Sequence, residues 1–257
     1  MANRKMLEDK ILGIQGYIEV VVLPEMFSTG FSMNPAKLAE PMHGETVEWM
    51  KEIAAKKRII LTGSLIVEEE GMYYNRLLWV LPNGQIGQYD KRHLFAYAQE
   101  DKFYAPGNRR LIASVKGWKI NLQICYDLRF PVWARQSAPP LPTVEQMEKG
   151  LENKPEYDLL IYVANWPEKR SLAWKSLLVA RAIENQSYVV GVNRTGTDGN
   201  EIYYSGDSMI VDPLGNILYS KEHEEDVFST TLNREELDRI RSRFPFLRDA
   251  DNFFIEP

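Results

Sequence analysis

Apolar residues follow two rhythms along this chain. Short unbroken apolar runs alternate with stretches in which apolar residues return every three or four positions. Tyr17 to Leu23 is a run stopped by Pro24, and it predicts a buried strand. Between Thr46 and Lys57, Val47, Met50, Ile53 and Ala54 recur at helical spacing. Arg58 to Glu68 and Tyr73 to Leu81 predict strands, and Pro82-Asn83-Gly84 turns the second back through Gln85 to Tyr89. Leu111 to Val115 and Trp118 to Cys125 form a further pair around Lys116-Gly117. Leu159 to Ala164 predicts a buried strand. Ser171 to Asn185 predicts a long helix with Leu172, Leu177, Leu178, Ala182 and Ile183 on one stripe. Ser187 to Asn193, Ser208 to Val211 and Asn216 to Tyr219 predict strands, the last reached through the turn Asp212-Pro213-Leu214-Gly215. Asn233 to Arg243 reads as an amphipathic helix, followed by a tail from Phe244.

Strands and helices alternate with hairpins mixed in, which predicts an α/β fold with mixed sheets covered by helices. No internal repeat or linker divides the chain, so residues 1–257 read as a single domain. One composition shift, over 136–156, carries Pro139, Pro140, Pro142 and many charges. It predicts a solvent-exposed surface insertion, helical from Thr143 to Glu152.

Composition narrows the function classes. The 257 residues carry a net charge of −5, which disfavours nucleic acid or an anionic membrane as partner. No apolar run approaches the roughly 18 residues that span a bilayer. The one cysteine and three histidines (His43, His93, His223) lack ligand spacing, so neither a metal site nor a cofactor is expected. A chain with one cysteine has no internal disulfide, and a cytoplasmic location is the expectation.

Three segments place a reactive side chain just beyond an apolar run: Leu23-Pro24-Glu25, Tyr89-Asp90-Lys91 and Ile124-Cys125. Strand ends are where α/β folds collect active-site groups. Singly, each has a bland reading: a solvated loop acid, a surface lysine, a small core thiol. Together they make a set for acyl transfer without histidine. A thiol near its ordinary pKa of about 8.5 is a weak nucleophile at neutral pH. A carboxylate can take its proton, and an ammonium can hold the charge that develops on a carbonyl oxygen.

These segments resemble the nitrilase, or carbon–nitrogen hydrolase, superfamily, and most closely its ω-amidase (2-oxoglutaramate amidase) branch. The shared runs are LPEMFSTGF from Leu23, YDKRHLF from Tyr89, CYDLRFPVWAR from Cys125, YVANWPEKRS from Tyr162, ARAIENQSYVVGVNR from Ala180, and GDS from Gly206. The resemblance runs from near the first residue to Asp249-Ala250-Asp251. It implies a four-layer α-β-β-α sandwich and a homodimer. It also implies a Glu-Lys-Cys triad with Glu25 as general base, Lys91 as oxyanion-stabilising cation and Cys125 as nucleophile. The backbone N–H of Tyr126 is the expected second oxyanion donor. Glu100 matches the further glutamate of the family, against the reading of one more acid in a charged loop.

The implied substrate is a small α-keto acid monoamide, hydrolysed to the acid and ammonia through a thioester. N-carbamoyl-amine or aliphatic amidase activity is the enzymatic alternative, and an inactive scaffold or binding protein the non-enzymatic one. Asn165 and Trp166 follow a strand, and Trp166 reads equally as a pocket wall or as packing. Arg129 and Arg194 could bind a substrate carboxylate, against the competing reading of structural ion pairs. His93 is read as structural. Members of the superfamily usually begin with a strand before the first helix; here that opening strand is missing from the pattern, which predicts an exposed sheet edge.

Overall fold

Side-chain alternation along β2 (Ile60–Glu69) explains the layering. Leu61, Leu65 and Val67 point to one side, where they pack with Val47, Met50, Ile53 and Ala54 of the helix Glu45–Lys57 and with Ile11 of the helix Ala2–Gly13. Ile60 points the other way, into a core shared with a second sheet. The computed structural model describes residues 2–136, 155–251, 253 and 255.

One sheet has the order β1-β2-β3-β4, with β1 (Val20–Val22) parallel to β2, and with β3 (Met72–Val80) and β4 (Ile86–Asp90) antiparallel. The other sheet comprises β5 (Leu111–Val115), β6 (Trp118–Ile124), β7 (Leu159–Ala164), β8 (Tyr188–Asn193), β10 (Tyr203–Val211) and β11 (Ile217–Glu222). They run in the order β11-β10-β8-β7-β6-β5, with β9 (Thr195–Thr197) paired to β10. Its central strands β6, β7 and β8 are parallel. Leu77, Trp79 and Tyr89 of the first sheet meet Ile120, Leu122 and Ile124 of the second between the layers. Trp174, Leu178 and Ala182 of the helix Ser171–Asn185, with Leu237 of the helix Arg234–Arg243, join the core of the second sheet. The result is a helix–sheet–sheet–helix sandwich. The close fit of the outer layer depends on Gly191, where a β-carbon would fall 2.5 Å from Leu178 and 2.8 Å from Trp174.

The expected elements form, with differences that have local causes. The first strand is three residues long instead of spanning Tyr17 to Leu23. Among the described residues it pairs with β2 alone, and Tyr17 is exposed. Its other edge lines a groove of about 860 Å³, bordered by Met6 and Leu7 of the first helix and by Val227, Phe228 and Leu232. β10 begins at Tyr203 instead of Ser208, because Gly206 in the left-handed region (φ +79°) and a register shift to Ser208 carry the strand through a bulge. β9 was not foreseen, since Thr195-Gly196-Thr197 has no apolar rhythm.

The expected exposed segment 136–156 is anchored at its start. Gln136 is fully buried, with its backbone N–H on Asn185 Oδ1 and its side-chain oxygen accepting from Tyr157 N–H. The helix expected over Thr143 to Glu152 lies outside the described residues.

Candidate active site

Four strand ends from two sheets meet at one place. Glu25 lies three residues beyond β1, Lys91 directly follows β4, Cys125 directly follows β6, and Asn165 directly follows β7. The Glu25 loop is laid against β2 by Leu23 N–H on the Thr62 carbonyl (2.7 Å), Met26 N–H on Ser64 Oγ (2.9 Å) and Phe27 N–H on the Ser64 carbonyl (3.2 Å). Gly63 permits this approach, because a β-carbon there would stand 2.8 Å from Leu23 and 3.0 Å from Phe27. Lys91 is held at its backbone on both sides: its N–H donates to the Asn75 carbonyl and its carbonyl accepts from Gly107 N–H, each at 3.0 Å.

Cys125 adopts φ +44°, in the left-handed region that a residue with a β-carbon avoids, and opens the 3₁₀ turn Cys125–Arg129. Such a conformation costs of order 1–3 kcal/mol and persists only when its surroundings fix it. The buried Asp127 carboxylate supplies that fixation. Oδ2 accepts from Ile124 N–H (3.0 Å) and Tyr89 Oη (2.7 Å), and Oδ1 accepts from His93 N–H (3.0 Å) and pairs with His93 Nδ1 (2.8 Å). One side chain therefore clamps the cysteine turn and the loop after Lys91 together.

The charged cluster is almost completely dry. Glu25 and Lys91 are 1% exposed and Glu100 is 0% exposed. Lys91 Nζ donates to Glu25 Oε1 at 3.0 Å and to both Glu100 oxygens at 3.0 and 2.9 Å. Glu25 Oε1 also accepts from Asn75 Nδ2 at 2.8 Å, and Glu25 Oε2 accepts from Asn165 N–H at 2.8 Å. The Asn165 carbonyl lies 3.9 Å from Cys125 Sγ.

Burial pushes the Cys125 thiol well above its ordinary range, and the Glu25 charge adds to this against the opposing pull of Lys91. Burial also raises Glu100, with Lys91 opposing and Glu25 reinforcing the shift. Burial would lower Lys91, but Glu100, Glu25 and Cys125 outweigh it and hold the ammonium above its ordinary range. Both directions favour a protonated thiol beside a charged ammonium. This arrangement can move the thiol proton a short distance onto a carboxylate while keeping a cation beside the reacting carbon.

The other expected residues are distributed as follows. Glu100 joins the cluster directly. Trp166 is 3% exposed, belongs to the hydrophobic core and donates Nε1–H to the Arg170 carbonyl at 2.8 Å. Arg129 forms none of the expected ion pairs with a described acid; it is exposed and lies over the Trp166 ring at 4.9 Å. Arg194 likewise lies over the Tyr204 ring at 4.8 Å. The Tyr126 ring packs between Phe95 and Phe130. His93 stacks on Phe130.

The large groove touches Glu25 and Asn165 but not Cys125 or Lys91. The hydrogen-bonded cluster, not this groove, is the candidate for the chemistry. Among the described residues no group of three or more His, Cys, Asp or Glu side chains is placed to hold a metal. Asn75 and Asp127 went unnoticed in the sequence. Asn75 is hidden inside a strand; Asp127, two residues after the only cysteine, carried a usable signal.

Known proteins resemble this chain along most of its length. The carbon-nitrogen hydrolase family matches residues 14–242. The chain is 42% identical over 253 residues to the omega-amidase YafV of Escherichia coli strain K12, covering 98% of this chain and 91% of that protein. It is 33% identical to the 2-oxoglutaramate amidase of Bacillus subtilis strain 168, covering 91% of this chain and 85% of that protein. Among solved structures, XC1258 from Xanthomonas campestris, a CN-hydrolase superfamily protein with an arsenic adduct in its active site, superimposes with a TM-score of 0.92. That match has 42% identity and covers 99% of this chain and 93% of the other.

Proposed function

The chain belongs to the carbon–nitrogen hydrolase family and is a hydrolase of carbon–nitrogen bonds other than peptide bonds, and from that premise we propose that Glu25, Lys91 and Cys125 hydrolyse the terminal amide of a small α-keto acid monoamide such as 2-oxoglutaramate. The observation that carries the reading is the buried contact of Lys91 with Glu25 beside the Cys125 thiol. The likeness to the two amidases supports the substrate class.

The reaction runs in two halves. The Cys125 proton passes to Glu25 as Sγ bonds to the amide carbon, and the carbonyl oxygen takes the negative charge. Lys91 Nζ and the Tyr126 N–H stabilise that oxyanion; one such donor is typically worth about 100- to 1000-fold in rate. The carbon–nitrogen bond then breaks, Glu25 gives its proton to the nitrogen, and ammonia leaves a thioester. Glu25 next takes a proton from water, the hydroxyl attacks the thioester, and the acid departs as the proton returns to sulfur. Glu100 keeps Lys91 in place through both halves. Proton transfer within the cluster leaves its net charge unchanged, which matters in a site where like charges interact strongly.

The reading includes a cytoplasmic homodimer. It is supported by a lone free cysteine and by exposed apolar side chains, Leu172 and Ile183, on the helix Ser171–Asn185. No helix among the described residues is long and apolar enough to cross a membrane.

The test is ammonia release from 2-oxoglutaramate, with glutamine, an N-carbamoyl amine and a simple nitrile in parallel and Cys125→Ala as control. Turnover of the keto amide that vanishes in Cys125→Ala is expected. Turnover of another compound in its place would reject the substrate class, and an active Cys125→Ala would reject the nucleophile.

A further inference from the structure

Asn75 sits inside β3, in register just before the Arg76–Asp90 pair that ties β3 to β4. It is fully buried and touches all three charged members of the site. Its backbone carbonyl accepts the Lys91 N–H at 3.0 Å. Its side-chain Nδ2 donates to Glu25 Oε1 at 2.8 Å and to Glu100 Oε1 at 3.4 Å. A carboxamide nitrogen carries two N–H groups, so it can serve both carboxylates at once.

The charge balance gives this contact a purpose. Two carboxylates face one ammonium, and that ammonium donates to both. Glu25 must hold its orientation while it gains and loses a proton twice in each turnover. Lys91 alone cannot ensure this, because its three donors are already shared between two acids. A neutral donor adds a hydrogen bond to each carboxylate without adding charge to a dry site. An aspartate of the same shape would accept instead of donate and would bring a third negative charge.

Resting on the reading of Glu25 as general base, we propose that Asn75 is a positioning residue whose carboxamide bridges Glu25 and Glu100 and fixes the orientation of the base. Asn165 holds Glu25 from the other side through Oε2, so the two amides grip opposite oxygens of one carboxylate. Asn75 touches neither the thiol nor, in this reading, the substrate, and it acts entirely through Glu25.

The near-isosteric Asn75→Asp substitution tests this, with Asn75→Ser as a smaller variant that keeps one donor. Loss of a hydrogen bond to a charged group predicts a fall in kcat of about 10- to 100-fold in Asn75→Asp, with KM within about threefold of wild type. The acid limb of the kcat/KM profile should move to higher pH, because the carboxylates lose a donor and gain a like charge. The titratable groups that interact with the Glu25 carboxylate held by this carboxamide are Glu100, Lys91, Cys125, Tyr104 and Tyr204. Asn75→Ser should fall between wild type and Asn75→Asp.

A purely structural asparagine would lower the melting temperature and leave the acid limb in place, and that result overturns the proposal. So does a folded Asn75→Asp with wild-type kcat. If neither variant folds, the wild-type protein decides through the ¹⁵N-labelled Asn75 side-chain amide. Protection from hydrogen exchange is expected, and exchange at the rate of free solvent overturns the assignment. Wild-type turnover is the internal control. Its absence on every amide would count against the hydrolytic reading, whereas unchanged variants of an active enzyme count against Asn75 alone.

Discussion

Around Cys125 the proton has few places to go. A free thiolate would add a negative charge to a buried cluster that already holds two carboxyl groups, so transfer to Glu25 at the moment of attack is the route that spares the site. Burial and the neighbouring carboxylates both favour the protonated sulfur. Alkylation by iodoacetamide at pH 7 should therefore be slower than that of a free cysteine, whose pKa is about 8.5. Its rate should still be climbing above pH 9, because a raised pKa moves thiolate formation upward. A rate plateau below pH 8, followed by mass spectrometry, would mean that Lys91 dominates and that the thiol rests ionised. At this scale the three reactive residues were legible because each follows an apolar run. Asn75 was not, because a polar residue inside a strand looks like one step of ordinary alternation. Its significance depends on Glu25 and Glu100, which lie 50 and 25 residues away in sequence.

Elements meet the site through their ends, and their ends are held by ion pairs. Arg76, only 2% exposed on its side chain, bonds Asp90 at 2.7 Å and Glu69 at 2.9 Å, fixing the strand end that carries Lys91. At the opposite end of β7, Asp158 ties down the C-terminal helix. It accepts from Lys119 N–H at 3.0 Å, from Arg234 at 2.7 Å and from Arg241 at 2.8 Å. Burial works against its charge, but Arg234, the Lys119 N–H and Arg241 outweigh burial and hold the carboxyl below its ordinary range. A depressed pKa stabilises the fold above the ordinary aspartate value near 4, and the contribution is lost as pH falls through the lower folded value. Asp158→Ala should cost about 2–3 kcal/mol, the range for hydrogen bonds to charged groups, read as a lower urea midpoint at pH 7. The difference from wild type should shrink as the pH is lowered through that window. An equal midpoint at pH 7 would show that the helix docks through Leu237 and Ile240 alone. The apolar rhythm made most of these elements legible. It could not reveal the Gly206 bulge or the three-residue β9, where backbone geometry and not side-chain burial sets the path.

At the scale of the whole molecule, the sandwich leaves its outer helices available for pairing. Static light scattering should give about twice the mass of the 29.7 kDa chain, and a mass matching one chain would reject the dimer. The mixed α/β class was readable from the alternation of strands and helices. The division into two stacked sheets followed from the family resemblance and not from the apolar rhythm, because no local pattern says which strands share a sheet. Nor could the sequence show that the single cysteine would end up buried and strained, in surroundings that favour its proton. That state bears on survival under oxidants. Peroxide attacks thiolates far faster than thiols, and a chain with one cysteine has no second thiol to capture a sulfenic acid before it oxidises further. Burial that favours the proton on Cys125 thus also shields the sulfur, which becomes vulnerable chiefly while it is reacting, when substrate already covers it.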